Sequence, residues 1–207
     1  KILNFFQKVK RAFKIKDLRN RILVVLLLFV IYRVMANIPV PGIDTSQLKA
    51  FLNQFQIFGL VNAFTGGSLQ NMSIVMLGLG PYITATVILQ ILSMIFPALE
   101  RLYKEEGEEG RDKFNQYGRL LTVPLAIFNS YGMLNLLQKQ NIINNLGPLT
   151  FISSIATISA GTVLLMWFSE IIDERGIGSG SSLLIFAGII SRFPQNFLEI
   201  YGTLRSG

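Results

Sequence analysis

Five apolar stretches divide the chain, separated by segments that carry nearly all of its charge. Residues 22–31 are wholly apolar, and Arg33 follows almost at once. Residues 72–99 hold no charge, residues 120–137 are apolar apart from positions such as Pro124 and Asn129, and residues 151–172 are uncharged except for Glu170. A last apolar stretch begins at Ser181 and continues past Arg192 and Pro194 towards Tyr201. A hydrocarbon core is crossed by about 20 helical residues. The pattern predicts an all-α, polytopic membrane bundle with spans over 22–36, 72–99, 120–137, 151–172 and 181–201. The first span is short, so Arg33 must snorkel or face protein. Basic residues ahead of an apolar run also describe a signal peptide, but no small-residue cleavage site follows and further spans do.

The intervening segments are less uniform. Ile2, Phe6, Val9 and Phe13 recur at helical spacing among lysines, which predicts a basic amphipathic helix within residues 1–20. It can lie on an anionic membrane surface or pack on a partner protein. Pro39 and Pro41 end the first span, and Asp44 or Thr45 can cap a short helix over 47–55. Residues 50–71 carry no charge but are rich in Asn, Gln and Gly. Such a stretch suits a short re-entrant helix broken at Gly66-Gly67, because irregular backbone at membrane depth survives only inside protein or beside a water-filled cavity. Pro81 suits the first turn of the second span, and Pro97 its end. Residues 100–113 form the main charged loop, Gly147-Pro148 a short connection, and Gly176, Gly178 and Gly180 a flexible turn.

Charge then sets orientation. The chain has 19 Lys and Arg against 12 Asp and Glu, a net charge of +7, with only 15% of residues charged. Soluble domains carry about a quarter. Eight basic residues fall in positions 1–21 and five in 98–119, whereas 37–71 and 138–150 hold only Lys49 and Lys139. The bias places the amino terminus in the cytoplasm. It reads as a topology signal and not as a nucleic-acid surface.

Candidate chemistry changes little. The chain has no Cys and no His, which removes disulfides, thiolate ligands and the commonest general base. Gly178-Ser179-Gly180 has no base to activate Ser179 and lacks the strand and Lys-Ser/Thr of a phosphate loop. Glu105, Glu106, Glu108 and Glu109 sit among Arg and Lys as a solvated face. No enzyme and no cofactor is expected.

Six motifs, in order, carry a family resemblance. They are Ile38-Pro39-Val40-Pro41-Gly42-Ile43-Asp44; Phe64-Thr65-Gly66-Gly67-Ser68-Leu69; Gly80-Pro81-Tyr82-Ile83-Thr84-Ala85 with Gln90; Glu106-Gly107-Glu108-Glu109-Gly110-Arg111 with Asn115-Gln116-Tyr117; Glu174-Arg175-Gly176-Ile177-Gly178-Ser179-Gly180; and Ile185-Phe186-Ala187-Gly188-Ile189. Together they resemble the first five spans of SecY, the channel subunit of the Sec protein translocon. The resemblance implies a ten-span channel in two inverted halves that passes unfolded polypeptides across a membrane and laterally into it. It implies a pore ring of Leu79, Ile83 and Ile185, with Ser181 where the family is apolar. It further implies a plug containing Val61, Phe64, Gly66 and Gly67, and a lateral gate carrying Thr84, Gln90 and Asn129. Implied partners are SecE-like and SecG-like subunits, a SecA motor or the ribosome, signal sequences, nascent chains and membrane lipid, with no sequence-specific nucleic acid. The implied location is a bacterial plasma membrane or a thylakoid. Half of an inverted-repeat secondary transporter is the alternative.

Overall fold

The computed structural model describes residues 16–41, 48, 65–104, 107–143, 146–175 and 178–191. Most of the amphipathic helix expected over 1–20, the short helix expected over 47–55 apart from Leu48, the re-entrant stretch up to residue 64 and the second half of the fifth span lie outside these residues. The described chain is all-α: α1 (Lys16–Met35), α2 (Gly80–Ile95), α3 (Pro97–Lys104), α4 (Gly107–Lys139), α5 (Pro148–Glu174) and α6 (Gly180–Ser191). Among the described residues a single β-bridge, Pro39–Ser73, joins residues 38–40 to 72–74.

By length and composition α4 and α5 can each cross a membrane, and the pair α2–α3 counts as a third span if taken together. Five spans are therefore more than the described helices show. Lys16, Asp17, Arg19 and Arg21 belong to α1 itself, so residues 16–20, expected as part of a separate amphipathic helix, are the first turns of the first span's helix. α6 is short within the described residues.

The second span, expected over 72–99 with Pro81 in its first helical turn and Pro97 at its end, is helical only between those prolines. Residues 72–99 do not form one helix. Residues 65–79 descend as a series of turns, and regular helix starts only at Gly80. Pro81 occupies the first helical turn as expected. Left-handed backbone at Gly66, Gly67, Met72 and Gly78 explains why no helix propagates through this segment. At the other end Phe96 is extended ahead of Pro97, a geometry that proline imposes on the residue before it. The axis turns by 113° into α3. The charged loop expected over 100–113 is helical at 100–104 and again from Gly107. Tyr103 stacks on Phe114 at 5.0 Å and ties α3 to α4.

α4 has 33 residues, about 50 Å at 1.5 Å per residue. It exceeds a hydrocarbon core of about 30 Å, and its charged residues gather in its first turns. Its buried face repeats every four residues: Gly110, Phe114, Gly118, Thr122, Ala126, Ser130 and Leu134. Small side chains on this stripe let neighbouring helices approach. Gly118 sits against Thr86 and Leu89 of α2, and the Ser130 and Ser159 hydroxyls meet at 3.2 Å between α4 and α5. The Thr122 and Ser130 hydroxyls also donate to carbonyls one turn back, each at 2.7 Å, which keeps polar groups satisfied in an apolar setting.

Two apolar clusters hold the bundle. One joins Val25, Leu28, Tyr32 and Met35 of α1 to Leu165, Phe168 and Ile172 of α5 and Leu184 of α6. The other joins Val40 and Leu48 to Leu134, Leu137 and Ile158. Segment 65–79 contributes to both: Val75 and Leu79 to the first, Leu69, Met72 and Met76 to the second. It is the shared wall of the structure.

Gly161 of α5 lies so close to this wall that a Cβ there would meet the Ile74 carbonyl oxygen at 1.9 Å. Ordinarily Gly→Ala within a helix stabilises by roughly 0.5–1 kcal/mol. Gly161→Ala should instead cost about 1–3 kcal/mol through overpacking. Gly132→Ala on α4, where a Cβ meets nothing within 4 Å, should be neutral or stabilising. Thermal unfolding of the purified full-length protein measures both, and equal responses would contradict this packing.

Candidate functional site

The turn segment, α1, α2, α5 and α6 line a half-open cavity of about 260 Å³. Its lining is almost wholly apolar: Leu77 and Leu79 from the turns, Ile83 from α2, Leu165 from α5, and Leu184 and Ile185 from α6, with Tyr32 and Thr65 at its polar edge. Leu79, Ile83 and Ile185, three of the residues singled out from sequence for a pore ring, therefore line one space. Leu79 is buried, whereas Ile83 keeps 38% of its surface exposed. Ser181 lies one turn before Ile185 but outside the cavity lining, and its hydroxyl pairs with that of Ser179 at 3.1 Å.

Polar contacts tie the elements around the cavity at two levels. At one end Arg21 of α1 donates to the Arg175 carbonyl at 2.7 Å, and Arg119 of α4 pairs with Glu170 of α5. The Asp173 carboxylate accepts the Gly180 N–H at 2.7 Å, at the amino end of α6. Gly180 is buried and a Cβ there would meet the Ser169 carbonyl oxygen at 2.0 Å. It is a close-packing position, and the expected role as a flexible turn is corrected there. The basic amino end of α1, the early turns of α4 and the carboxyl end of α5 thus share one end of the bundle. Lys139 closes α4 twenty residues beyond Arg119, about 30 Å away along the helix.

Higher up, Tyr32 donates its phenol to the Thr65 carbonyl at 3.0 Å. Arg33 donates to the Gly66 carbonyl at 2.9 Å and to the Ser191 carbonyl at 3.2 Å. Arg33 therefore faces protein, which resolves how the first span tolerates it. Of the plug residues expected from sequence, Val61 and Phe64 lie outside the described residues. Gly66 and Gly67 sit buried in the first of the turns.

The gate residues are placed less coherently. Thr84 and Gln90 share the exposed face of α2 with Ile83, Val87 and Ile91, and the Thr84 hydroxyl donates to its own helix at Gly80. Asn129 is exposed on α4. It lies eleven residues, about 16 Å, beyond Gly118, and Gly118 is the residue that meets Thr86 and Leu89. Gln90 stays near the level of Gly118, so the structure does not bring Gln90 and Asn129 together. Sequence reasoning missed Tyr32, Thr65, Leu77, Leu165 and Leu184. Only Tyr32 had a signal, its position beside a lone charge in an apolar run. Among the described residues no group of three or more carboxylates is placed to hold a metal ion.

Comparison with known proteins agrees with these elements. The sequence model of the SecY family matches residues 73–206. A protein translocase subunit SecY of Aquifex aeolicus is 38% identical over 96% of this chain and 48% of its own length. The same subunit of Rickettsia typhi is 42% identical over 92% of this chain and 46% of its own length. The chain thus spans about half the length of the curated relatives it matches. Among solved structures, Sec61 in the canine ribosome-channel complex from the endoplasmic reticulum shares the fold with a TM-score of 0.57 at 24% identity, over 82% of this chain and 35% of that one. A structure described as a protein conducting channel matches with the same values. With a family match over most of its residues and relatives near 40% identity across nearly its whole length, the chain belongs to the SecY family.

Proposed function

We propose that this chain forms one five-span half of a protein-conducting channel, through which unfolded polypeptides cross a membrane and enter it laterally. The observation that carries this reading is the apolar cavity uniting Leu79, Ile83 and Ile185 against a buried, non-helical wall. An apolar constriction closes by expelling water and gives a moving polar chain no site at which to stick. Aliphatic side chains at such a waist adapt to a passing polypeptide. The half-exposed surface of Ile83 suits a ring completed from the matching half, which the length of the relatives supplies.

The 1–207 unit comprises a cytoplasmic basic helix, a plug region over 50–71 and five spans. Gly66 and Gly67 form the base of the plug, which also takes in Val61 and Phe64. Thr84 and Gln90 give the lateral gate a polar edge on the exposed face of α2, and Asn129 serves at a separate level. The channel has no catalytic role of its own. A SecA motor or a ribosome supplies the driving force, SecE-like and SecG-like subunits brace the spans, and signal sequences and nascent chains are the cargo. The relatives are translocase subunits of bacteria, so the bacterial plasma membrane is the natural location. A secondary transporter would place a coordinating acid at the cavity, and the lining offers only the Tyr32 phenol and the Thr65 hydroxyl as polar side chains.

Two outcomes test this reading. The native chain has no thiol, so single cysteines at 104 and 139 report sidedness against an impermeant maleimide. Position 104 should label only from the cytoplasmic side and position 139 only from the opposite side; the reverse pattern would invert the topology. In the full-length protein reconstituted with its partner subunits, Ile83→Asn should wet the constriction. Its resting ion conductance should rise on the order of tenfold, as one unit of about 1.4 kcal/mol in the closed–open balance requires. Unchanged conductance would remove Ile83 from the seal.

A further inference from the structure

Among the described residues two side-chain polar contacts join α4 to α5. The Ser130 and Ser159 hydroxyls meet at 3.2 Å, beside the packing of Leu134 and Ile158 in the second apolar cluster. Arg119 pairs with Glu170 eleven residues nearer the start of α4, about 16 Å away along the helix. Between these contacts the seam opens on its outer side into an apolar groove of about 520 Å³. Val123 of α4 lines it with Ser159, Ala160, Val163, Leu164 and Trp167 of α5. The ion pair therefore closes a seam that packing leaves open beside it. It is also partly withdrawn from water, since the Glu170 side chain keeps 15% of its surface and that of Arg119 45%. Loss of one member leaves the other short of a partner. A guanidinium offers a carboxylate a rigid planar fork, so the pair selects one relative placement of its two helices.

Both helices that bring a side chain to the apolar cavity are referred to this pair. On α2, Tyr82 lies within electrostatic reach of Glu170, Asp173 and Arg119, and Ile83 is the next residue. α2 also rests on α4 beside the pair, where Gly118 faces Thr86 and Leu89. The stacking of Tyr103 on Phe114 ties the far end of the same hairpin to α4. On α6, the Gly180 N–H is held by the Asp173 carboxylate, three residues beyond Glu170 on α5. Ile185 follows five residues on, about 7 Å along α6.

We infer that Arg119 and Glu170 are positioning residues that set the resting width of the apolar constriction by fixing α2, and with it Ile83, against α5. The inference rests on the channel reading above. Asp173 refers α6 and Ile185 to the same stretch of α5, so Ile83 and Ile185 share one reference. Arg119 and Glu170 lie outside the cavity lining and act on it through α4 and α2. The charges around the pair favour a rescue by exchange. Asp173 and Glu174 lie within electrostatic reach of Glu170, so Glu170→Arg places a cation among acids.

The test uses the full-length protein with its partner subunits in lipid vesicles. It compares wild type, Arg119→Gln, Glu170→Gln, the double exchange Arg119→Glu with Glu170→Arg, and Ile83→Asn. In separate samples without other thiols, spin labels on cysteines at 94 and 174 report the separation of α2 from α5. Each single replacement at the pair should lengthen and broaden that separation. Each should also raise resting ion leak on the order of fivefold, and the double exchange should restore both. Unchanged separation and tight sealing in the single variants, beside a leaking Ile83→Asn, would overturn the inference and leave the channel reading standing. A change in only one of the two readouts would also overturn it, because α2 placement and constriction width would then be independent. Leak that the double exchange fails to restore, or that follows loss of thermal stability variant by variant, would reduce the pair to a structural role. Tight sealing by Ile83→Asn would sink the channel reading itself.

Discussion

A peptide group that is not paired in helix or closed sheet cannot face hydrocarbon, and this constraint governs segment 65–79. Each unsatisfied group there would cost several kcal/mol in lipid. The segment is instead largely buried in protein, and many of its backbone groups are paired. Val40 N–H takes the Met72 carbonyl and Ile74 N–H takes the Ile38 carbonyl. Turns close from Ser68 to Thr65, Met72 to Leu69 and Gly78 to Val75. Tyr32 and Arg33 take the carbonyls of Thr65 and Gly66. α1, α5 and α6 have their positions because this irregular wall must be covered.

Covering it closely requires backbone against backbone. Gly66 meets Gly188 and Gly161 meets Ile74, and α6 in turn seats on α5 where Gly180 meets Ser169; in each pair a Cβ would intrude. Small polar residues share the interface for the same reason of size. Ser73, Thr162 and Ser169 are buried with hydroxyls that have no hydrogen-bond partner among the described residues, a cost of about 1–3 kcal/mol each. A larger apolar side chain would hold the helices apart. One space left beside the wall is the apolar cavity, at the level where turns give way to α2. Function follows from the interrupted span, because a continuous helix over 72–99 would present one uniform face and leave neither wall nor cavity.

Much of this was legible in the chain and some of it was not. The uncharged lengths around 120–137 and 151–172 marked α4 and α5, because hydrophobicity alone decides such helices. Pro81 and Pro97 marked both ends of α2 through their fixed dihedrals. The glycines at 66 and 67 signalled irregular backbone at depth, but the continuation of turns to residue 79 was hidden, since Ile74-Val75-Met76-Leu77 is equally at home in a helix. Left-handed geometry at Met72 is a tertiary outcome that no local preference announces. The ring positions Leu79, Ile83 and Ile185 came from resemblance. Their meeting at one cavity depends on how α6 crosses the turns, and sequence spacing carries no such information. The gate positions Thr84, Gln90 and Asn129 also came from resemblance, and their spread over different levels of α2 and α4 is likewise not carried by sequence spacing.

The central claim is that the cavity beside the turn segment is the path of a polypeptide. Photo-crosslinking in the full-length translocon, with a secretory chain arrested halfway through, tests it most directly. A photoreactive residue would be placed at position 79, 83 or 185, and for comparison at 23 or 152, whose native side chains Leu23 and Ile152 are 54% and 65% exposed on outer helix faces. The account predicts adducts to the arrested chain from 79, 83 and 185, and none from 23 or 152. Adducts confined to 23 and 152, with 79, 83 and 185 silent, would contradict it.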